Sequence, residues 1–209
     1  MLKAGKQVVL ASGNAGKLRE IGAMVAHLDM ELVPQSVFGV TEAEETGLSF
    51  VENAIIKARH AAAQAGLPAI ADDSGIEVDC LDGAPGVYSA RYAGAGASDE
   101  DNLNLLVRNA FAADGDKPAA RFQCLMVYLA HARDATPVIA QGTWEGYLVQ
   151  TPRGHNGFGY DPVFFVPEHG CTSAELPPEV KNRISHRALA LQELLKKMTE
   201  WVTRHTPRP

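Results

Sequence analysis

Residues 7–28, QVVLASGNAGKLREIGAMVAHL, decide the fold. Gln7-Val-Val-Leu-Ala11 is a short apolar run rich in β-branched residues, which reads as a buried strand. It breaks into Ser12-Gly-Asn-Ala-Gly16, a turn signal. From Lys17 the apolar residues Leu18, Ile21, Met24, Val25 and Leu28 recur at intervals of three and four, the period of a helix with one buried face. A strand, a Gly-rich turn and a helix form the opening unit, and such a turn presents backbone N–H groups and a helix dipole to an anion. Lys17 adds a full positive charge. The motif is not a Walker A loop, because Ala11 stands where that pattern needs Gly and Leu18 where it needs Ser or Thr. Phosphate binding and a plain turn beside a solvated lysine both remain open on these residues alone.

Downstream, Glu31-Leu-Val-Pro34 reads as a second strand, and residues 35–48, with Glu42-Ala-Glu44-Glu45, as an acidic loop. Ser49 and Glu52 have capping-box spacing, and Ala54, Ile55, Ala58 and Ala61 supply an apolar face, predicting a helix from about 50 to 65. Ala69-Ile-Ala71 and Ile76-Glu-Val-Asp-Cys80 read as two strand pieces flanking a polar turn, Asp72-Asp73-Ser74-Gly75. Residues 83–94 read as a structured loop, and Ser98 caps a helix through Phe111. Arg121 to Ala132 and Val138 to Val149 predict a long antiparallel pair, Asp161 to Val166 a last strand, and residues 185–203 a final helix carrying Leu191, Leu194, Leu195, Met198, Trp201 and Val202. The order of elements is α/β, a mixed sheet with helices. The 209 residues are read as one domain, 1–209, with residues 204–209 as a frayed tail.

Composition narrows the function. With 46% hydrophobic and 21% charged residues, the chain is an ordinary globular sequence. Its 19 basic and 25 acidic residues give a net charge of −6, which argues against affinity for a nucleic-acid backbone while leaving a single nucleotide possible. Cys80, Cys124 and Cys171 are odd in number and widely spaced, so neither a disulfide framework nor a zinc knuckle is indicated. The longest apolar run, Cys124 to Ala130, falls far short of the ~20 residues that span a bilayer. A cytoplasmic protein without membrane partners is expected.

A polyphosphate held at the turn needs its metal held by carboxylates elsewhere, and Glu44-Glu45 and Asp72-Asp73 are the candidates; magnesium takes a few hard oxygens together with water and substrate phosphate. Solvated loop charge competes as a reading of the first pair, and an Asx-turn or helix cap as a reading of the second. Asn53 and Lys57 lie one turn apart on a shared helix face, which matters only if that face meets the Asp72-Asp73 loop. In Gly157-Phe-Gly-Tyr-Asp-Pro162, glycines flank Phe158, whose ring either stacks a base or packs in the core. Lys181-Asn-Arg-Ile-Ser-His186-Arg187 sets donors ahead of the last helix, where Ser185 also reads as a cap. No pattern for a zincin, an α/β-hydrolase or a Rossmann dehydrogenase occurs.

Taken in order, Ser12–Lys17, Glu44-Glu-Thr-Gly47, Phe50-Val-Glu-Asn-Ala54 with Lys57-Ala58, Ala71-Asp-Asp-Ser-Gly75, Gly83-Ala-Pro-Gly86 with Ser89-Ala-Arg-Tyr92, Gly157–Pro162 and Ser185-His-Arg187 closely resemble the inosine/xanthosine triphosphate pyrophosphatase family. The resemblance covers about residues 7 to 200. It implies an elongated mixed β-sheet flanked by helices, two lobes with the substrate in a central cleft, and a homodimer. It also implies Mg2+-dependent hydrolysis of deaminated purine nucleoside triphosphates to the monophosphate and pyrophosphate. By this similarity Ser12, Gly13, Asn14, Ala15, Gly16 and Lys17 hold the triphosphate, while Glu44 and Asp73 bind magnesium and Asp73 is the general base. Lys57 meets phosphate, Ser74 the nucleotide, and Phe158, Gly159, Tyr160, Asp161, Lys181, His186 and Arg187 the base end. Ser12 stands where threonine is common in the family, keeping the hydroxyl, and Pro177-Pro178 stiffens the approach to Lys181. The alternatives are a related pyrophosphatase with another base preference, such as the modified-pyrimidine enzymes, and a non-catalytic nucleotide sensor.

Overall fold

A computed structural model of the chain describes residues 7–26 and 31–205, the last five by backbone only. Leu28, residues 206–209 and the side chains of Trp201 and Val202 lie outside the described residues. Among the described residues seven strands form one mixed sheet in the order β2-β1-β3-β4-β5-β6-β7. They are β1 Gln7–Leu10, β2 Glu31–Pro34, β3 Ala69–Val78, β4 Ala119–Leu129, β5 Val138–Leu148, β6 Phe164–Val166 and β7 Cys171–Thr172. β1 pairs in parallel with β2 and β3, whereas β6 pairs antiparallel with β5 and β7. The helices are α1 Ala15–Val25, α2 Phe50–Ala65, α3 Asp99–Ala113, α4 Pro178–Ile184 and α5 His186–His205.

The chain divides into two compact units. The first is Met1–Asp73, Cys124–Gly142 and Arg187–Pro209; the second is Ser74–Gln123 and Thr143–His186. In the first unit the period of two in β1 sorts side chains to opposite faces of the sheet. Val8 and Leu10 join Ile70 of β3 and Met126 of β4 beneath Ile21, Val25, Leu191 and Leu194, the apolar faces of α1 and α5. Val9 instead joins Ala54, Ala58, Ala61 and Ala62, the alanine face of α2. The second unit is built around Ile76, Leu106, Phe122, Trp144, Tyr160 and Phe164.

Local signals place the helices well. Ser49 and Glu52 make the expected capping box at α2, and Ser98 makes one with Asp101 at α3. Four expectations change. Residues 35–48 are not all loop, since Gln35–Phe38 form a 3-10 turn. Asp72-Asp73-Ser74-Gly75 is not a turn either, because β3 runs unbroken through it. The final helix is α5, close to the expected bounds, but the stretch ahead of it forms a short helix of its own, α4, with Ser185 standing where α4 ends. The strand expected from Asp161 begins only at Phe164 and gains a two-residue partner, β7. β3 tolerates two buried carboxylates in mid-strand because cations from distant parts of the chain meet them, as the site geometry shows.

Candidate active site

Within the first unit, three elements bring charge to the middle of β3. The turn after β1 is pinned locally: the backbone N–H of Asn14 donates to Ser12 Oγ at 3.2 Å, and that of Lys17 to Asn14 Oδ1 at 3.0 Å. Asn14 is thus the N-cap of α1, and the N–H groups of Ala15 and Gly16 fall in the first turn, where a helix has no carbonyl of its own to offer them. Gly13, Asn14 and Ala15 are exposed and Gly16 is buried. From this turn Lys17 Nζ reaches Asp72 Oδ2 at 2.9 Å.

Asp72 is fully buried and is also approached by Arg187, whose Nε lies 3.6 Å from the same oxygen and whose second contact is an ion pair with Glu20 on α1. Burial alone would raise the Asp72 carboxyl, but Lys17, Arg187 and Lys57 outweigh it and hold the group well below the usual carboxylate range. Arg187 is opposed by its own burial and raised by Asp72 and Glu20. Cys124 lies in the same buried field, and burial, with Asp72 reinforcing it, pushes its thiol up to about 12, which keeps it a neutral core residue.

Asp73, the next residue, is met from α2. Lys57 Nζ donates to Asp73 Oδ1 at 2.8 Å and to Glu45 Oε1 at 2.8 Å, while Asn53 Nδ2 donates to Asp73 Oδ2 at 3.3 Å. Burial raises the Asp73 carboxyl, and the Lys57 charge only partly offsets it. For Lys57 burial works downward, and the carboxylates of Asp73, Asp72 and Glu45 overturn it and raise the ammonium. One aspartate is therefore locked as an anion between cations, and its neighbour has a raised proton affinity. Divergent pKa values in adjacent carboxyls are a common arrangement at sites of proton transfer.

The loop carboxylate that meets Lys57 is Glu45, while Glu44, the expected magnesium ligand, is exposed beside it. Among the described residues no group of three or more His, Cys, Asp or Glu side chains is arranged to hold a metal ion. Asp73 and Glu45 nevertheless converge on a single cation, the Lys57 ammonium, and two hard oxygen donors are as many protein ligands as magnesium usually takes beside phosphate and water.

In the second unit the residues expected at the base end surround the loop before β6. Gly157 takes φ +79°, and a Cβ there would strike the Asp161 carboxylate, so only glycine fits. Asp161 Oδ2 accepts from the Phe158 backbone N–H at 2.8 Å and from Lys181 Nζ at 2.6 Å, and Asp161 Oδ1 accepts from Ser173 Oγ at 2.8 Å. Lys181 also lies 5.4 Å from the centre of the half-buried Phe158 ring. Gly159 N–H donates to Asp99 Oδ2 at 3.0 Å. Tyr160 is a core residue whose hydroxyl donates to the Ser89 carbonyl at 2.7 Å, so a nucleotide could meet it only through its backbone. Ser74 is half-buried on β3. His186 stacks on Phe122, with ring centres 4.7 Å apart and planes 12° apart, beside Trp144, and Phe164 packs tilted against Phe122.

His186 and Arg187 were both expected at the base end, but the guanidinium lies with Asp72 and Glu20 in the first unit, whereas the imidazole lies among aromatics of the second. Successive residues at the start of a helix point about 100° apart, which is enough to part them. Sequence reasoning missed Glu20; its only signal was its place three residues after Lys17, on the same helical face. Phe122 and Trp144 gave no signal beyond strand-forming character.

The anion-type turn after β1 and the lysine–carboxylate cluster on β3 together make an arrangement able to hold phosphate groups. The model of the Ham1 family matches residues 8–197. A dITP/XTP pyrophosphatase of Vibrio cholerae is 55% identical over 93% of this chain and 98% of its own length, and one of Methylococcus capsulatus is 54% identical over 92% and 96%. A HAM1 protein from Coxiella burnetii has a solved structure that superposes with a TM-score of 0.87 at 48% identity, covering 94% of this chain and all of that one. The chain belongs to the Ham1 family.

Proposed function

We propose that this chain hydrolyses deaminated purine nucleoside triphosphates (ITP, dITP and XTP) to the monophosphate and pyrophosphate, removing them from the nucleotide pool. The observation that carries the reading is Lys57 held between Asp73 and Glu45, one residue along β3 from the Lys17–Asp72 pair at the anion turn. The reaction needs a base for water, positive charge for the phosphates and oxygen donors for a divalent cation, and this cluster contains all three. Its relatives' names, dITP/XTP pyrophosphatase, specify the substrate class.

In this reading Ser12 to Lys17 bind the triphosphate through backbone N–H groups and the Lys17 ammonium. Asp73 takes a proton from the water that attacks the α-phosphorus, and the bond from that phosphorus to the bridging oxygen breaks, releasing pyrophosphate. Lys57 stabilises the charge that grows on the phosphate oxygens. Mg2+, held by Asp73 and Glu45 or its neighbour Glu44, supplies further charge neutralisation when bound. Arg187 acts from beneath by keeping Asp72 ionised, and Asp72 in turn holds Lys17.

The base end belongs to the second unit. Phe158 offers a ring face, and Lys181 and Asp161 hold its loop. A ring N–H of His186 donates to a 6-oxo group; the 6-amino group of adenine would meet it donor to donor. The same reading takes the chain as a cytoplasmic homodimer of one catalytic domain, with no nucleic-acid or membrane partner. No helix of the described residues is long and apolar enough to cross a membrane.

The test is product analysis with inosine, deoxyinosine, xanthosine, adenosine and guanosine triphosphates, with magnesium and with chelator. Metal-dependent pyrophosphate release from the first three is expected; orthophosphate as product, or equal rates on all five, would overturn the reading.

A further inference from the structure

We propose that Asn53 is a positioning residue for the reaction, acting through Asp73. The inference rests on the pyrophosphatase reading and adds to it a residue that touches neither water nor substrate. Asn53 is completely buried on the alanine-rich face of α2, where an amide costs helix propensity and desolvation unless its hydrogen bonds are made. Both ends are used. Its Nδ2 donates to Asp73 Oδ2 at 3.3 Å, and its Oδ1 accepts the backbone N–H of Gly47 at 2.8 Å.

The first bond completes the hold on the base. Lys57, one helical turn along the same face, takes Asp73 Oδ1, so each carboxylate oxygen has its own donor from α2 and the carboxylate plane cannot rotate freely. The second bond ties that arrangement to the acidic loop. A Cβ at Gly47 would stand 2.7 Å from Asn53 Oδ1 and 2.6 Å from Glu52 Cβ, so the close approach of loop to helix requires glycine here. Leu48 and Ser49 N–H groups both donate to Glu52 next to it, at 3.0 and 2.9 Å. The other end of the loop is clasped to the same helix by Thr41, which bonds His60 and Gln64. Residues 42–46, carrying Glu44 and Glu45, are therefore held to α2 at both ends, and Asn53 is the side chain that joins one of those ends to Asp73. An amide suits this post better than a carboxylate, because a donor must face Asp73 and an acceptor must face Gly47.

The test compares Asn53→Ala, which removes both bonds, with Asn53→Asp, which keeps the shape and the acceptor for Gly47 but replaces the donor at Asp73 by a carboxylate. His60→Ala, which loosens the far end of the loop without touching Asp73, is the control. For each, kcat and KM with dITP are measured, with the affinity for inosine 5′-(α,β-imido)triphosphate by calorimetry and the melting temperature. Misplacing a reacting group by about 1 Å costs about 100-fold in rate, so both Asn53 variants should lose about 100-fold in kcat. KM and analogue affinity should move less than about threefold, a split that loss of general stability does not produce. His60→Ala should keep most of kcat. If Asn53→Ala fails to fold, Asn53→Asp decides. Retention of kcat by folded variants, a parallel fall of kcat and analogue affinity, or failure of both variants to fold would overturn the proposal. Wild-type protein that releases no pyrophosphate from dITP would instead overturn the underlying reading.

Discussion

The two units of the molecule solve opposite problems. In the first, charge is buried: Asp72, Asp73 and Arg187 are withdrawn from solvent and Lys57 nearly so, and each is stabilised by a partner of opposite sign. In the second, the residues expected at the base end lie among buried rings, His186 stacked on Phe122 and Trp144 with Phe164 tilted against both aromatics, while the buried Lys181–Asp161 ion pair holds the loop of the half-buried Phe158. Buried charge of this kind suits phosphates and proton transfer, where electrostatics in a dry site are strong. Flat ring surface with a few fixed donors suits the reading of a base, where shape and hydrogen-bond complementarity discriminate. The difference teaches that changes in the first unit should act on rate and stability, and changes in the second on affinity and selectivity.

The largest expected effect is at the proposed base. Asp73→Asn should lower kcat by about 1,000-fold while analogue affinity, measured by calorimetry, stays within a few-fold. Substantial turnover would remove Asp73 from proton transfer and with it the chemical role of the first unit. Next is Arg187→Ala, which leaves Asp72 and Glu20 short of a buried cation. Urea unfolding should report a loss of about 3 kcal/mol; a loss near zero would show that Lys17 and Lys57 suffice for Asp72. In the second unit, Phe158→Ala should raise KM for dITP about tenfold, the scale of one lost base stack, with kcat within about threefold. A fall in kcat instead would erase the division between the units. Smallest is Lys196→Ala, which removes an exposed 4.0 Å pair with Glu193 and should leave the melting temperature within about 1 °C.

What the sequence made legible follows the range of the physics. The opening strand, turn and helix, and the capping boxes at Ser49 and Ser98, are written in neighbouring residues and are found where expected. The middle of β3 was not, because Asp72-Asp73-Ser74-Gly75 has turn composition and its strand character depends on Lys17, Lys57 and Arg187, which are distant in sequence. β7 has only two residues, too few for any periodic signal. At the site, the shared face of Asn53 and Lys57 was visible from spacing, but its meeting with Asp73 needed the fold. The choice between Glu44 and Glu45 depends on which way a loop residue points, and sequence spacing carries no such information in a loop. The same holds for His186 and Arg187, adjacent in the chain and employed in different units.

The central claim, that rate and selectivity are divided between the two units, is tested most directly by one steady-state comparison. The kcat/KM ratio for dITP over dATP is measured for wild type, Lys17→Ala and His186→Ala. Lys17→Ala should lower both rates together and leave the ratio unchanged, while His186→Ala should collapse the ratio by about tenfold or more. A ratio that falls in Lys17→Ala, or that survives in His186→Ala, would contradict that division.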